Sequence, residues 1–263
     1  MVKRIFTFWE PENSIPEYLK LCMQTWTKFL PDYEIVILNY SNLDNWLGKD
    51  YFDSSLFENF SLPKQADAIR SAVLNKYGGI WFDTDTIVTS EKIQDIINLD
   101  SEFILLNRHI GVIVAKPDAK ILRKWEKDVH KKIQHYKVFK KVHTFLNLQW
   151  VEDSFERWDY LGNAILKRPL KTKNKKRFYK LDKIKVKAFP EDNYAMENNR
   201  VSGSENYKYF YFENDFSEYA LKDSGGLIQL HNSWTPEKFK SMSKEEFLEQ
   251  NITLAKILKT LIS

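Results

Sequence analysis

Gly78 and Gly79 restrict what can stand on either side of them. Before them, Ala66, Ile69, Val73 and Tyr77 recur at the spacing of one helical face from Lys64 to Tyr77. A glycine directly after such a run ends it. After them, Ile80 to Phe82 is a short apolar strand candidate, and Asp83-Thr84-Asp85 stands at its end. A helix passing straight into an apolar strand is the unit from which α/β folds are built.

The rest of the chain repeats the alternation. Ile5 to Trp9 reads as a strand, Glu17 to Leu30 as a helix that Pro31-Asp32 ends, and Glu34 to Leu38 as a second strand. Asn42 to Phe60 contains short helices. Thr86 to Val88 continues extended, and Glu91 to Ile97 is helical. Phe103 to Leu106 and Gly111 to Ala115 are strand candidates, and Asp118 to Tyr136 and Phe155 to Leu166 are helix candidates. The aromatic alternation of Tyr207 to Phe212 suggests a strand, as does Leu227 to Leu230. Lys244 to Ile262 closes the chain as one amphipathic helix. With 263 residues and no internal repeat or low-complexity linker, no second independent domain is demanded.

Composition excludes several classes. A net charge of +4 is too small to argue for nucleic acid. No run approaches the ~20 apolar residues of a membrane span, and the opening residues are too short in apolar core for a signal peptide. The single cysteine, Cys22, lies in the apolar pattern of a helix and is expected in the core, so no intrachain disulfide is possible. These features place the chain in the cytoplasm or on the cytoplasmic face of a membrane.

The chemistry is concentrated at Asp83 and Asp85. Two carboxylates at i and i+2 beyond an apolar strand can reach one hard cation. Mg²⁺ and Mn²⁺ take oxygen ligands, often one or two carboxylates plus substrate phosphates and water. Upstream, Asp67 and Arg70 are three apart on a helix, away from its apolar face. Taken alone they read as an exposed helical ion pair.

The stretch Leu62 to Asp85 resembles the sugar-binding region of the DXD glycosyltransferases, namely glycosyltransferase family 32 and its bacterial capsular-polysaccharide members. The elements that match are Asp67-x-x-Arg70, Tyr77-Gly78-Gly79 and Asp83-x-Asp85. The opening is similar as well: a strand ending in Trp9, then Ile15-Pro16-Glu17-Tyr18, a helix with Trp26, and Leu30-Pro31-Asp32-Tyr33-Glu34. So is the late His231-Asn232-Ser233-Trp234, although the family has a longer stretch before its final Ser-Trp. The match covers about the first 115 residues and the region near 231.

The resemblance implies a GT-A fold, a Rossmann-like α/β sheet, in one domain with a helical and basic acceptor-side region. Residues 1–115 would be the nucleotide-sugar-binding core, and 116–263 would complete the same domain on the acceptor side. It implies a retaining transfer of a hexose, galactose or glucose, from a UDP-sugar to a saccharide or lipid-linked saccharide acceptor. Asp85 would hold Mn²⁺ or Mg²⁺, Asp83 the ribose and the metal, and Asp67 and Arg70 the donor sugar hydroxyls. Trp9 would stack on the base, with Tyr77 and Gly79 among the nucleotide-sugar-binding residues. His231 is a candidate third metal ligand, and Asn232, Ser233 and Trp234 would form the other wall, Ser233 and Trp234 against the diphosphate.

Two rivals come from other classes. Asp83-Thr84-Asp85-Thr86 also resembles the Asp-x-Asp opening of the Asp-x-Asp-x-Thr of haloacid-dehalogenase-type phosphatases, where the first Asp is the nucleophile, although Ile87 stands in the place of the Thr. That pattern wants a longer apolar strand and a downstream Asp pair, and this chain has neither. The second rival is a non-catalytic basic binder built on Lys167 to Lys187, which holds eleven Lys or Arg against the single acid Asp182. A charge run without stacked-aromatic motifs does not read as a nucleic-acid site. It does suit an anionic membrane surface, with Phe178 and Tyr179 placed to enter the interface.

Overall fold

The buried run Ile5–Phe8 belongs to strand β1 (Arg4–Phe8), which pairs in parallel with β3 (Gly79–Phe82), Ile5 opposite Ile80 and Phe6 opposite Trp81. The computed structural model describes residues 3–106, 109–146, 157–167, 169–171, 177–181, 186–222 and 224–263. They form two compact units, each assembled from three chain segments.

The first unit (residues 1–11, 36–81 and 100–180) holds most of a six-stranded mixed sheet. Its order is β2 (Glu34–Leu38), β1, β3, β6 (His109–Ala115), β5 (Phe103–Leu106) and β7 (Phe178–Leu181). β5 and β6 are antiparallel, Ile104 opposite Val114, with an irregularity after Leu105. Strand residues such as Phe6, Trp81, Phe103 and Ile113 are buried. The helix Leu62–Tyr77 is buried almost all round, on Ala68, Ile69, Ala72 and Val73 and also on Asp67, Arg70 and Ser71. A helix so enclosed is a core element rather than a surface one. The helix Lys120–Leu146 buries Leu122, Trp125, Val129 and Ile133 on one face.

Gly78 and Gly79 make the helix-to-strand turn possible. Gly78 has φ +64°, and a Cβ there would lie 2.6 Å from the Pro117 ring and 2.9 Å from the Ala115 carbonyl oxygen. Gly79 has φ +101°, and its Cβ would lie 2.8 Å from the Arg4 carbonyl oxygen. Only glycine takes these conformations without cost, and only glycine lets β3 approach β1 so closely.

The second unit (residues 12–35, 82–99 and 181–263) is built around α1 (Glu17–Phe29) and a two-stranded antiparallel sheet. β4 (Thr86–Val88) pairs with β8 (Leu227–Gln229), Thr86 opposite Gln229 and Val88 opposite Leu227. α1 is tied to β4 by two buried hydrogen bonds: Trp26 Nε1 donates to the Thr86 carbonyl at 2.7 Å, and the Val88 N–H to Thr25 Oγ1 at 2.9 Å. Cys22 is fully buried in α1, as its position in the apolar pattern implies.

The α/β class is as expected, and four local expectations are corrected. Tyr207–Phe212 is not a strand. Ser204–Lys208 is α-helical and Tyr209–Glu213 is a π-helical turn, with Phe210, Tyr211 and Phe212 all buried in succession. Burial at 207, 210 and 211 has helical spacing, which the alternation of aromatics disguised. The closing helix is two, Lys244–Leu248 and Thr253–Ile262. Between them Ile252 is extended, and the Thr253 N–H donates to the Asn214 carbonyl at 2.7 Å instead of continuing the helix.

Of the helix expected over Phe155–Leu166, residues 155 and 156 lie outside the described residues, and only Asn163–Leu166 is helical. The helix Lys120–Leu146 runs ten residues beyond Tyr136. In the basic block, residues 168, 172–176 and 182–185 lie outside the described residues, and Phe178 packs against the first unit's core. Among the described residues, no helix is long and apolar enough to cross a membrane.

Candidate functional site

β3 delivers the chain to Asp83 and Asp85, and β4 begins at Thr86. Asp83 is half-buried and Asp85 is only 8% exposed. A buried carboxylate needs its lone pairs satisfied, and here the strand β8 and the turn after it do so. Gln229 Nε2 donates to one Asp85 oxygen at 2.6 Å, and the Asn232 backbone N–H donates to the other at 2.8 Å. The Leu230 N–H donates to the Asp85 carbonyl at 3.0 Å. Gln229 is itself oriented, because its Oε1 accepts from the Thr86 hydroxyl at 2.8 Å. Asn232 is held from the other side by the Tyr18 hydroxyl, which donates to its Oδ1.

Burial pushes the Asp85 carboxyl up to about 7, and the neighbouring Asp83 pushes the same way. The donors Asn232 and Gln229 oppose them without cancelling them. Two acids side by side in a partly dry setting are the condition that a bound cation relieves.

His231 continues the same turn. Its ring lies among Trp234, Phe189 and Tyr207, at centroid distances of 4.2, 5.6 and 5.6 Å. Its Nε2 is 3.8 Å from Glu191 Oε1. Ser233 is exposed on the short turn Asn232–Trp234. The second unit therefore gathers Asp85, His231, Asn232 and Trp234 around one turn. Gln229 and Glu191 belong to the same group and were not singled out in the sequence. Gln229 could have been suspected as a lone polar residue in an otherwise apolar strand; Glu191 carries no signal of its own.

The other expected residues lie in the first unit. Asp67 and Arg70 are paired at 3.4 Å, but with side chains 8% and 4% exposed they are not the exposed helical pair that spacing alone suggests. Arg70 also donates to the Ile110 carbonyl at 2.6 Å and lies over the Trp81 ring at 4.7 Å. Gly162 closes over the carboxylate so tightly that a Cβ there would be 2.2 Å from Asp67 Oδ2. Tyr77 packs edge-on to Trp46, and its hydroxyl donates to the Trp46 carbonyl at 2.6 Å. Trp9 follows β1, half-buried, with its N–H on the Leu38 carbonyl.

The family model described as capsular polysaccharide synthesis protein matches residues 1–222, which takes in the two carboxylates that follow β3 and the helix carrying Glu191. The chain belongs to that family. No curated protein matches the sequence. Among solved structures this family member is similar to the glycosyltransferase GlyE of Streptococcus pneumoniae TIGR4, with TM-score 0.47 and 12% identity over 98% of this chain and 62% of that one. The apo form of GlyE gives 0.45 and 13%, over 99% and 63%. The chain thus spans less than two thirds of the GlyE chains. It is also similar to a glycosyltransferase involved in the glycosylation of the major capsid of PBCV-1, with TM-score 0.43 and 11% identity over the whole of both chains.

Proposed function

We propose that this protein is a metal-dependent glycosyltransferase of the GT-A type that uses a UDP-hexose in capsular polysaccharide synthesis. The observation that carries the reading is Asp85, a buried carboxylate beside Asp83 at the end of β3, clamped through both oxygens by Gln229 and Asn232. Family membership supports it. Asp83 and Asp85 fit Mn²⁺ or Mg²⁺ by donor type, since such ions take a small number of carboxylates and complete their shell with phosphate oxygens and water. Among the described residues no three His, Cys, Asp or Glu side chains are grouped around one point, which suits an ion that arrives with a diphosphate. When bound, that ion would neutralise charge developing on the departing diphosphate.

The protein's own part is to keep the carboxylates in place. Gln229 fixes one Asp85 oxygen through a side chain whose own acceptor is anchored on Thr86, so neither amide nor carboxylate is free to rotate. Asn232 fixes the other through its backbone N–H, which no substitution but proline removes. The acceptor is a saccharide or lipid-linked saccharide in this reading.

A donor-hydrolysis screen across UDP-, GDP- and dTDP-sugars with Mn²⁺ tests it. Turnover of a UDP-hexose that chelation abolishes is the expected result. Asp85→Ala should lose both turnover and Mn²⁺-dependent UDP binding by calorimetry. GDP binding well while UDP fails would overturn the donor assignment, and phosphate release from simple phosphomonoesters would favour phosphatase chemistry instead.

A further inference from the structure

Three strand ends of the first unit meet at a cleft that the proposed reaction does not use. Lys116 follows β6, Glu102 precedes β5 and Arg177 precedes β7. The pairing of Phe103 with Ala115 sets Glu102 beside Lys116, and the place of β7 next to β5 brings Arg177 to the same end of the sheet. Lys120 and Arg123 come from the first turn of the helix Lys120–Leu146. With Pro117 and Asp118 these side chains line a space of about 330 Å³. Backbone contacts fix its shape. The Lys116 N–H donates to the Glu102 carbonyl at 2.9 Å and the Asp118 N–H to the Asn75 carbonyl at 2.8 Å, while Pro117 packs against Gly78.

Four cations line the cleft against two acids, Glu102 and Asp118, which leaves a net charge of +2. Arg123 Nη1 is 2.6 Å from Asp118 Oδ2. Lys116 has Asp100 at 3.5 Å, a pair more than half exposed, which water and salt screen. Lys120 and Arg177 have no carboxylate partner among the described residues. Cations gathered in a cleft raise the local concentration of anions. A guanidinium presents a planar fork to two oxygens of a phosphate, and an ammonium adds a point charge. We propose that this cleft binds a phosphate dianion, carried by a soluble phosphate monoester or by a lipid headgroup, with Lys120 and Arg177 as the chief contacts and Arg123 held in place by Asp118. A monoanionic carboxylate would leave one excess charge unmatched. The site does not rest on the function proposed above, and none of its residues belongs to the turn that holds Asp85.

Nitrogen-15 amide spectra of the metal-free full chain, titrated with inorganic phosphate at pH 8, test the site. The expected response saturates and is confined to amides near Glu102, Lys116 to Arg123 and Arg177, while chloride at matched ionic strength gives no such response. Lys120→Gln with Arg177→Gln should weaken binding about tenfold or more. Both side chains are exposed, so the fold should survive the change. Lys127→Gln with Lys131→Gln removes the same charge from exposed positions further along that helix, outside the cleft. That variant should keep the affinity within about twofold, since solvated charges at a distance are screened. No saturable response overturns the proposal. So does an equal loss in the two double variants, which would make the cleft part of a generally basic surface.

Vesicles distinguish the two sources of the phosphate. Co-sedimentation at matched surface charge compares phosphatidic acid, whose headgroup is a phosphate monoester, with phosphatidylserine, whose phosphate is a diester. A preference for phosphatidic acid that Lys120→Gln with Arg177→Gln abolishes supports the site and assigns it to a lipid headgroup. Saturable phosphate binding without that preference supports the site and assigns it to a soluble phosphate ester. A preference that survives the double variant puts the phosphate contact elsewhere and overturns the cleft.

Discussion

Asp67 and Arg70 illustrate how burial changes the meaning of a sequence pattern. An exposed pair three apart on a helix contributes a few tenths of a kcal/mol. The same pair nine-tenths buried, with Arg70 also bonded to the Ile110 carbonyl, is a different object. Removing one partner of a buried pair costs about 3–5 kcal/mol, whereas replacing both with apolar groups is often near neutral. Asp67→Leu should therefore lower the urea midpoint far more than Asp67→Leu with Arg70→Met, which a denaturation series would read directly. Equal losses would restore the surface-pair description. At this scale the sequence spoke clearly about Asp83 and Asp85, because acids closing an apolar strand stand out. It was silent about Glu191 and Gln229, whose roles come from partners far away in the chain, such as Asp85, 144 positions before Gln229.

Among the elements, the glycine pair is the most exposed to test. Gly78→Ala would set a Cβ against Pro117 at φ +64°. The backbone conformation alone costs about 1–2 kcal/mol for an L-residue, and the clash adds to it, so the urea midpoint should fall clearly at unchanged slope. A midpoint equal to the wild type would show that the turn has other solutions.

The helix Lys120–Leu146 offers a pH test. Glu126 accepts from the Tyr51 hydroxyl and the Asn75 amide, and burial pushes its carboxyl up to about 7 from an ordinary 4.5. The folded state thus holds this proton more tightly than the unfolded chain. The stability it contributes is complete below pH 4.5 and is lost as pH rises through 7. Glu126→Gln should gain on the wild type in melting temperature across that window and stay parallel to it above. A constant difference from pH 4.5 to 8 would contradict the assignment. Strands and helices with one clear apolar period were legible in the sequence. The π-helical turn and the break at Ile252 were not, because local pattern does not encode the aromatic packing or the Asn214 contact that decides them.

For the molecule as a whole, charge is unevenly spread: Lys167–Lys187 carries eleven basic residues while the chain totals +4. Anionic lipid attracts such a segment by about 1 kcal/mol per Lys or Arg near the surface. Co-sedimentation with anionic vesicles at low salt, falling as salt rises, is the expected outcome. Because Phe178 packs against the core, neutral vesicles should capture little, and equal binding to both would remove the electrostatic account.

The pairing of β4 with β8 has a consequence for biosynthesis. Thr86 leaves the ribosome 143 residues before Gln229, its partner. At synthesis rates of 5–20 residues per second that is a wait of roughly 7–30 s, during which β4 presents an unpaired edge and Asp85 has neither of its clamps. Until then that edge lacks its native partner, and a chain cut before Gln229 would keep Asp85 without the hydrogen bonds from Gln229 and Asn232.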